Sequence, residues 1–147
     1  MTGTDVVDTL TRYLALCDVP ARVAGDPGDL GDLFTEDAVW EGGGGAYAEK
    51  FGRTEGRAAI VSMLSGYLPP RPHFRTNVHL LFPGTVDGDG DTAHGSWLMQ
   101  QLSRYESGDA EMTVARLDVT FRLARDRPRI SVFRTERLFT APLPEER

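Results

Sequence analysis

Asp29-Leu-Gly-Asp-Leu-Phe-Thr-Glu-Asp-Ala-Val-Trp40 is the stretch that decides the fold of this chain. It predicts a short helix over about Asp29–Phe34, which leads through Thr-Glu-Asp into a strand at Ala38–Trp40. Polar side chains that suit proton transfer flank this run on both sides: Tyr13, Asp18 and His73.

Helical patterns dominate the first half of the chain. Residues 5–17 carry apolar side chains at helical spacing: Val6, Leu10, Tyr13, Leu14 and Cys17. The prolines and glycines of residues 18–28 end this helix and predict a loop. A third helix is predicted from Thr54, which can cap its start, to about Tyr67. Between these helices, Gly42–Gly45 indicates a flexible break, either a mobile flap or a plain linker.

Strand patterns fill the second half of the chain. The predicted strands are Thr76–Phe82, Thr92–Tyr105, Met112–Leu123 and Ile130–Phe139. Their connections contain the Gly, Asp, Pro and Ser residues that hairpins require. Helices followed by an antiparallel meander place the chain in the α+β class. The tail, residues 142–147, is expected to fray.

Size and charge narrow the class of protein. A chain of 147 residues is expected to form one domain over residues 1–147, with room for a core and one pocket. A net charge of −6 argues against nucleic-acid binding, which needs a basic surface. The sequence contains no apolar run of the roughly 18 residues that a membrane helix needs, and its acidic start lacks the features of a secretory signal. Cys17 is the only cysteine, which excludes an internal disulfide and favours a cytoplasmic location.

Several segments, taken in order, resemble the SnoaL-like branch of the nuclear transport factor 2-like superfamily. They are Tyr13 with Leu16-Cys-Asp18, the passage Leu30–Trp40, Gly52-Arg-Thr-Glu-Gly-Arg-Ala-Ala-Ile60, His73-Phe-Arg-Thr-Asn77 and Gly90-Asp-Thr-Ala-His-Gly-Ser-Trp97. The resemblance covers about residues 5–139. It implies a cone-shaped, curved antiparallel or mixed sheet that wraps around three N-terminal helices and encloses an apolar pocket. The family contains polyketide cyclases, scytalone dehydratase and bile-acid dehydratases, but also structural subunits and binding-only domains, so fold alone leaves function open.

The dehydratases of this family imply a catalytic site made of His73, Asp18 and Tyr13. There, a histidine matching His73 is the general acid and base, and an aspartate matching Asp18 orients it. A tyrosine matching Tyr13 donates a hydrogen bond to the substrate carbonyl and stabilises the enolate. Five positions, about 140° on an ideal helix, separate Tyr13 from Asp18, so their convergence requires either that the helix loosens near its end or that the pocket wraps around it.

The implied activity is that of a cofactor-independent lyase, isomerase or cyclase. Its substrate would be a hydrophobic, carbonyl-bearing small molecule, polyketide-like or steroid-like. Large apolar side chains at strand alternation are the candidate pocket lining: Trp40, Trp97, Met99 and Phe121. The family also implies a homodimer formed through the outer face of the sheet.

Two other functions stay open at this point. The first is a non-catalytic ligand-binding or accessory subunit, which would need no converging polar triad. The second is an epoxide-opening hydrolase or cyclase, whose Asp-Arg-Asp arrangement Asp18, Asp118 and Arg134 would have to supply.

The remaining polar motifs indicate structure rather than chemistry. Asp87–Asp91 has the spacing of a calcium loop without the rest of its ligands, so it predicts a polar hairpin turn. His79 and His94 are expected to be structural or exposed, and single scattered histidines form no zinc motif. No glycine-rich phosphate loop follows a predicted strand, so no nucleotide cofactor is expected. Cys17 lies in the helical apolar stripe and is expected to be buried and inert.

Overall fold

The computed structural model describes residues 3–25 and 27–144, which form an α+β fold built on a mixed sheet. The helices in this part of the chain are α1 Gly3–Cys17, a 3-10 helix Pro27–Leu33, α2 Gly44–Phe51 and α3 Arg57–Ser65. The strands are β1 Phe34–Gly43, β2 Arg53–Glu55, β3 Phe74–Leu81, β4 Thr85–Asp89, β5 Thr92–Tyr105, β6 Ala110–Leu123 and β7 Pro128–Leu143. The predicted fold class is confirmed.

The sheet runs in the order β2-β1-β7-β6-β5-β3, and β4 also pairs with β5. β1 and β7 are parallel, whereas β5, β6 and β7 form an antiparallel meander. β5 is long enough to pair with β3 along its second half and with β4 along its first half. The sheet stays open rather than closing into a barrel, and α1 packs against β7 and β3 on its inner face.

The core lies between α1 and the inner face of the sheet. The apolar stripe predicted for the first helix is buried as expected: Val6, Leu10, Tyr13, Leu14 and Cys17. Opposite it, Leu117, Val119 and Phe121 alternate along β6 and are fully buried. Burying each such side chain contributes about 1.5–3 kcal/mol, so this two-layer packing holds the sheet around the helix.

The glycine run at residues 42–45 is not a flexible break, which corrects the prediction. β1 continues to Gly43, and α2 begins at Gly44. A Cβ atom at Gly42 would lie 2.0 Å from the carbonyl oxygen of Tyr47. Gly44 has a φ of +65°, in the left-handed region that side chains disfavour. Glycine is therefore needed here for a close backbone approach and for a turn into a helix that the sequence did not predict.

The third helix begins later than predicted. Thr54 and Glu55 pair with Trp40 and Val39 of β1, so they form strand β2 rather than a helix start. Helix α3 consequently begins at Arg57.

The C-terminal end is also more ordered than predicted. Pro142 and Leu143 pair with Glu111 and Ala110 of β6, so this part of the predicted frayed tail is strand, while residues 145–147 lie outside the described residues. The hairpin predicted near Asp87–Asp91 is present, because β4 pairs with the start of β5. None of the helices in the described ranges combines the length and apolar character needed to cross a bilayer.

Candidate active site

The loop after α1 carries Asp18 into the interior of the fold. The helix ends at Cys17, and the chain then forms an isolated antiparallel bridge between Val19 and Asn77 of β3. Both backbone hydrogen bonds of this bridge measure 2.9 Å. Because Asp18 lies beyond the helix, its helical offset from Tyr13 does not decide where its side chain points.

Asp18 pairs with His79 and not with His73. Its Oδ1 accepts a hydrogen bond from the backbone N–H of His79 at 3.0 Å and lies 2.7 Å from Nδ1 of the same residue. The Asp18 side chain is 1% exposed and that of His79 is 9% exposed. Arg22, in the loop after α1, donates from Nε to the other carboxylate oxygen. The predicted pairing of Asp18 with His73 is thus corrected. His79, expected to be structural or exposed, is partly buried and forms a dyad with Asp18.

The carboxylate determines which nitrogen of His79 is basic. An ionised Asp18 accepts a proton-bearing Nδ1, so Nε2 is the unprotonated nitrogen of the neutral ring. The His79 ring lines a cavity of about 120 Å³ and a smaller one of about 80 Å³. The side chains that line both cavities with it are Tyr13, Trp40, Tyr47, Phe51 and Gln101. A base oriented by an acid therefore lies on the wall of a small interior space.

Tyr13 is held in the same wall as a protonated phenol. Its ring packs edge-on against Phe34, and its hydroxyl accepts a hydrogen bond from Nε1 of Trp40 at 3.0 Å. Burial, followed by the nearby Cys17, raises the pKa of Tyr13 well above its usual value of 10.0. Burial likewise raises the pKa of the Cys17 thiol to about 12, as expected for an inert buried cysteine. The phenol therefore keeps a proton that it can donate.

His73 lies at the mouth of the cavity among aromatic rings. Its ring centroid is 4.4 Å from that of Phe74, 5.1 Å from Tyr67 and 5.5 Å from Tyr105. Partial burial, and then the charge of Lys50, lower the pKa of His73 below 6.5. These surroundings favour the neutral ring, whereas Asp18 would favour a charged one.

A row of polar side chains on β3 and β5 was missed by the sequence reasoning. Asn77 Oδ1 accepts hydrogen bonds from Ser103 at 2.7 Å and from Gln101 at 2.9 Å. The strand register explains the row, because Gln101 is the register partner of His79 and Ser103 is that of Asn77. Two-residue spacing puts Asn77 and His79 on one face of β3, and this periodicity was the signal that could have found them.

The four predicted pocket residues separate into two groups. Trp40 lines both cavities and Met99 lines the smaller one. Trp97 and Phe121 lie instead in the packed core, with their ring centroids 6.3 Å apart. The inner face of the sheet is thus filled with side chains around Trp97 and hollow around Trp40.

The epoxide-opening arrangement, which the sequence left open as an alternative, does not form. Asp118 and Arg134 are register partners on β6 and β7, on the face opposite to the buried Leu117 and Val119. Asp18 is on the inner side, so the three groups do not converge. His94 is exposed and bonded to Thr120, as expected, and the described residues contain no cluster of His, Cys, Asp or Glu that could hold a metal ion.

The open mixed sheet around the N-terminal helices is the fold of the nuclear transport factor 2-like superfamily. Residues 3–134 match the model of the SnoaL-like domain, and the chain belongs to that family. The predicted family is confirmed. No curated protein matches the chain significantly.

Solved structures with the same fold share little sequence with this chain. A candidate scytalone dehydratase from Novosphingobium aromaticivorans DSM 12444 is 17% identical with a TM-score of 0.78, over 97% of this chain and 88% of that chain. A hexachlorocyclohexane dehydrochlorinase, LinA Type2, is 15% identical with a TM-score of 0.78, over 96% and 88%. An NTF2-like protein with a cystatin-like fold from Novosphingobium aromaticivorans is 25% identical with a TM-score of 0.69, over 92% and 80%. These likenesses confirm the predicted fold.

Proposed function

We propose that this SnoaL-like protein is a cofactor-independent lyase, isomerase or cyclase that performs acid–base chemistry on a hydrophobic, carbonyl-bearing small molecule. The dyad of the buried Asp18 and the partly buried His79, in which His79 lines the cavity, is the observation that carries the proposal. Two structural neighbours named as a candidate dehydratase and a dehydrochlorinase support the reaction class, because elimination requires a base.

In this proposal, His79 takes the role that the sequence assigned to His73. Its Nε2 removes a proton from the carbon next to the substrate carbonyl, and Asp18 stabilises the imidazolium that forms. The negative charge moves to the carbonyl oxygen, where the phenol of Tyr13 donates a hydrogen bond. The imidazolium then returns the proton to a leaving oxygen or to another carbon. The first step is common to dehydration, isomerisation and cyclisation.

Hydrogen–deuterium exchange tests the proton-abstraction step without knowledge of the natural substrate. Cyclohexanone in D₂O is incubated with the protein, and loss of the signal of the protons next to the carbonyl is followed by NMR. We expect exchange above the buffer rate, falling by about 10²–10⁴ in His79→Gln, the typical contribution of general base catalysis. His73→Gln is the matched control, because this second histidine lines the same cavity without an acid partner.

The outcomes separate the competing assignments. Loss of exchange in His73→Gln with full exchange in His79→Gln would return the catalytic role to His73. A binding-only or accessory domain would bind ligands but give buffer-level exchange in every form, including the unmodified protein.

We also propose that the protein is a homodimer formed through the outer face of its sheet. Large apolar side chains on three strands are exposed on or beside that face: Leu80, Phe82, Leu98, Leu138 and Phe139. Apolar side chains clustered in this way typically mark an interface. Light scattering coupled to size exclusion should give twice the chain mass of 16.2 kDa, and Leu98→Glu should give the monomer. A monomeric unmodified protein would contradict this proposal.

A further inference from the structure

The two interior cavities beside His79 are small. The main cavity measures about 120 Å³, and the smaller one beside it about 80 Å³. An engineered protein cavity of about 150 Å³ is known to hold one benzene molecule. An interior of this size accommodates one six-membered ring with a substituent, so further fused rings would have to lie outside it, in the open groove beyond His73.

Aromatic side chains form one side of this space from its interior to its mouth. The ring centroid of Phe51 lies 5.2 Å from Trp40 and 6.2 Å from Tyr67, and that of Tyr67 lies 5.1 Å from His73. All three pairs are edge-to-face, the arrangement that aromatic rings favour. Such a wall suits a flat ring.

Lys50 places a fixed positive charge at the mouth. It is the only lysine of a chain with net charge −6, and it lies in the last turn of α2. Its side chain lines the main cavity, with Nζ 5.0 Å from the centroid of the Phe51 ring. His73 beside it favours the neutral form, since its pKa is lowered. Among the described side chains that line this cavity, Lys50 is therefore the one that carries a full positive charge.

Glu111 is the negative charge that lines the same cavity, and it is already held by a partner. Its Oε1 accepts a short hydrogen bond from the hydroxyl of Tyr105, on the neighbouring strand. The Nζ of Lys50 is placed over an aromatic ring instead. This hydrogen bond from a neutral phenol does not cancel the negative charge of Glu111, so a ligand carboxylate is favoured only on the Lys50 side of the cavity.

We infer that the cavity takes a monocyclic substrate with a carboxylate substituent, whose ring packs against Phe51 and Trp40 and whose carboxylate lies toward Lys50. The inference rests on the proposed function for the chemistry at His79, and it adds the ring number and the charge of the substrate. It predicts selectivity that is measurable by binding alone.

Calorimetric titration with three simple probes tests this selectivity. Benzoate carries one ring and the carboxylate, benzamide has nearly the same shape without the charge, and 2-naphthoate carries the charge on two fused rings. At low ionic strength, benzoate should bind about fivefold more tightly than benzamide, the upper end for an exposed ion pair. This preference should vanish in Lys50→Met and in high salt, and should return in Lys50→Arg. 2-Naphthoate should bind more weakly than benzoate.

A matched control removes the effect of net charge. Arg116→Met deletes one positive charge from an exposed residue of β6, outside the cavity lining, and should keep the preference for benzoate. The inference is overturned if no probe binds, if benzamide binds as well as benzoate, if Lys50→Met keeps the preference, or if 2-naphthoate binds more tightly than benzoate. These readouts need no turnover, so a protein that selects benzoate but exchanges no ketone protons would refute only the proposed function.

Discussion

Replacing Asp18 by Asn removes one charge and almost no volume from the dyad. Both carboxylate oxygens accept hydrogen bonds, one from His79 and the other from Arg22. An amide offers one acceptor and one donor group. In either orientation, its NH₂ group would face a donor: Nε of Arg22 or the backbone N–H of His79. The substitution therefore leaves a mismatch that a rotation of the side chain cannot relieve.

The cost follows from the burial of the carboxylate. The Asp18 side chain is 1% exposed, and leaving a buried donor without its acceptor costs about 1–3 kcal/mol. Because at least one hydrogen bond survives in either orientation, we expect the middle of this range, about 2 kcal/mol. For a chain of this size, each kcal/mol lowers the melting temperature by about 2–4 °C, so a decrease of about 4–8 °C is expected.

Urea unfolding followed by circular dichroism measures this free energy, provided that the slope with denaturant is unchanged. Arg22→Met is the control, because this side chain is 47% exposed and its pairing should be worth no more than about 1 kcal/mol. An Asp18→Asn protein within 1 kcal/mol of the unmodified protein would refute the reasoning, as would an equal cost for Arg22→Met.

Two further predictions concern the cavity mouth and the glycine run. Folding lowers the pKa of His73 below its unfolded value of 6.5. Between the folded and the unfolded pKa, the unfolded chain therefore binds more protons than the folded protein. The stability that His73 contributes is consequently lost as the pH falls through this interval. NMR titration should show this lowered pKa of His73. Lys50→Met should raise the pKa only part of the way to 6.5, because burial is the larger cause. A pKa of His73 that is the same in Lys50→Met would exclude Lys50 as a neighbour. Gly42→Ala should destabilise the fold by about 1–3 kcal/mol through its clash with Tyr47, whereas Gly45→Ala, with open space around it, should be neutral or stabilising. Equal unfolding midpoints for the two variants would contradict this account.

The sequence predicted those elements of the fold whose pattern is local. The apolar stripe of α1 and both ends of β5 were found, because each is specified by its own residue spacing. Helix α2 was missed since it starts inside a glycine run, and glycines carry no apolar pattern. The requirement for Gly42 comes from the carbonyl of Tyr47, a contact that depends on how β1 turns into α2.

The site was predicted in its parts but not in its pairing. Asp18 and Tyr13 were found as candidate residues, and the structure places Asp18 in a dyad and Tyr13 on the cavity wall. The histidine partner of Asp18 was missed because it is fixed by a contact between segments more than fifty residues apart in sequence. The bridge between Val19 and Asn77 places Asp18 beside His79. No local spacing specifies such a bridge.

The surroundings of the two cavity histidines explain why His79 is the better candidate for the base. A base that removes a proton becomes an imidazolium, so its neighbours must stabilise positive charge. Asp18, 2.7 Å from Nδ1 of His79, is placed to do this for His79. His73 lies among aromatic rings, and its partial burial, followed by the charge of Lys50, opposes its protonation. The same lysine would attract a carboxylate to the mouth, so one region of the cavity suits recognition and the other suits proton transfer.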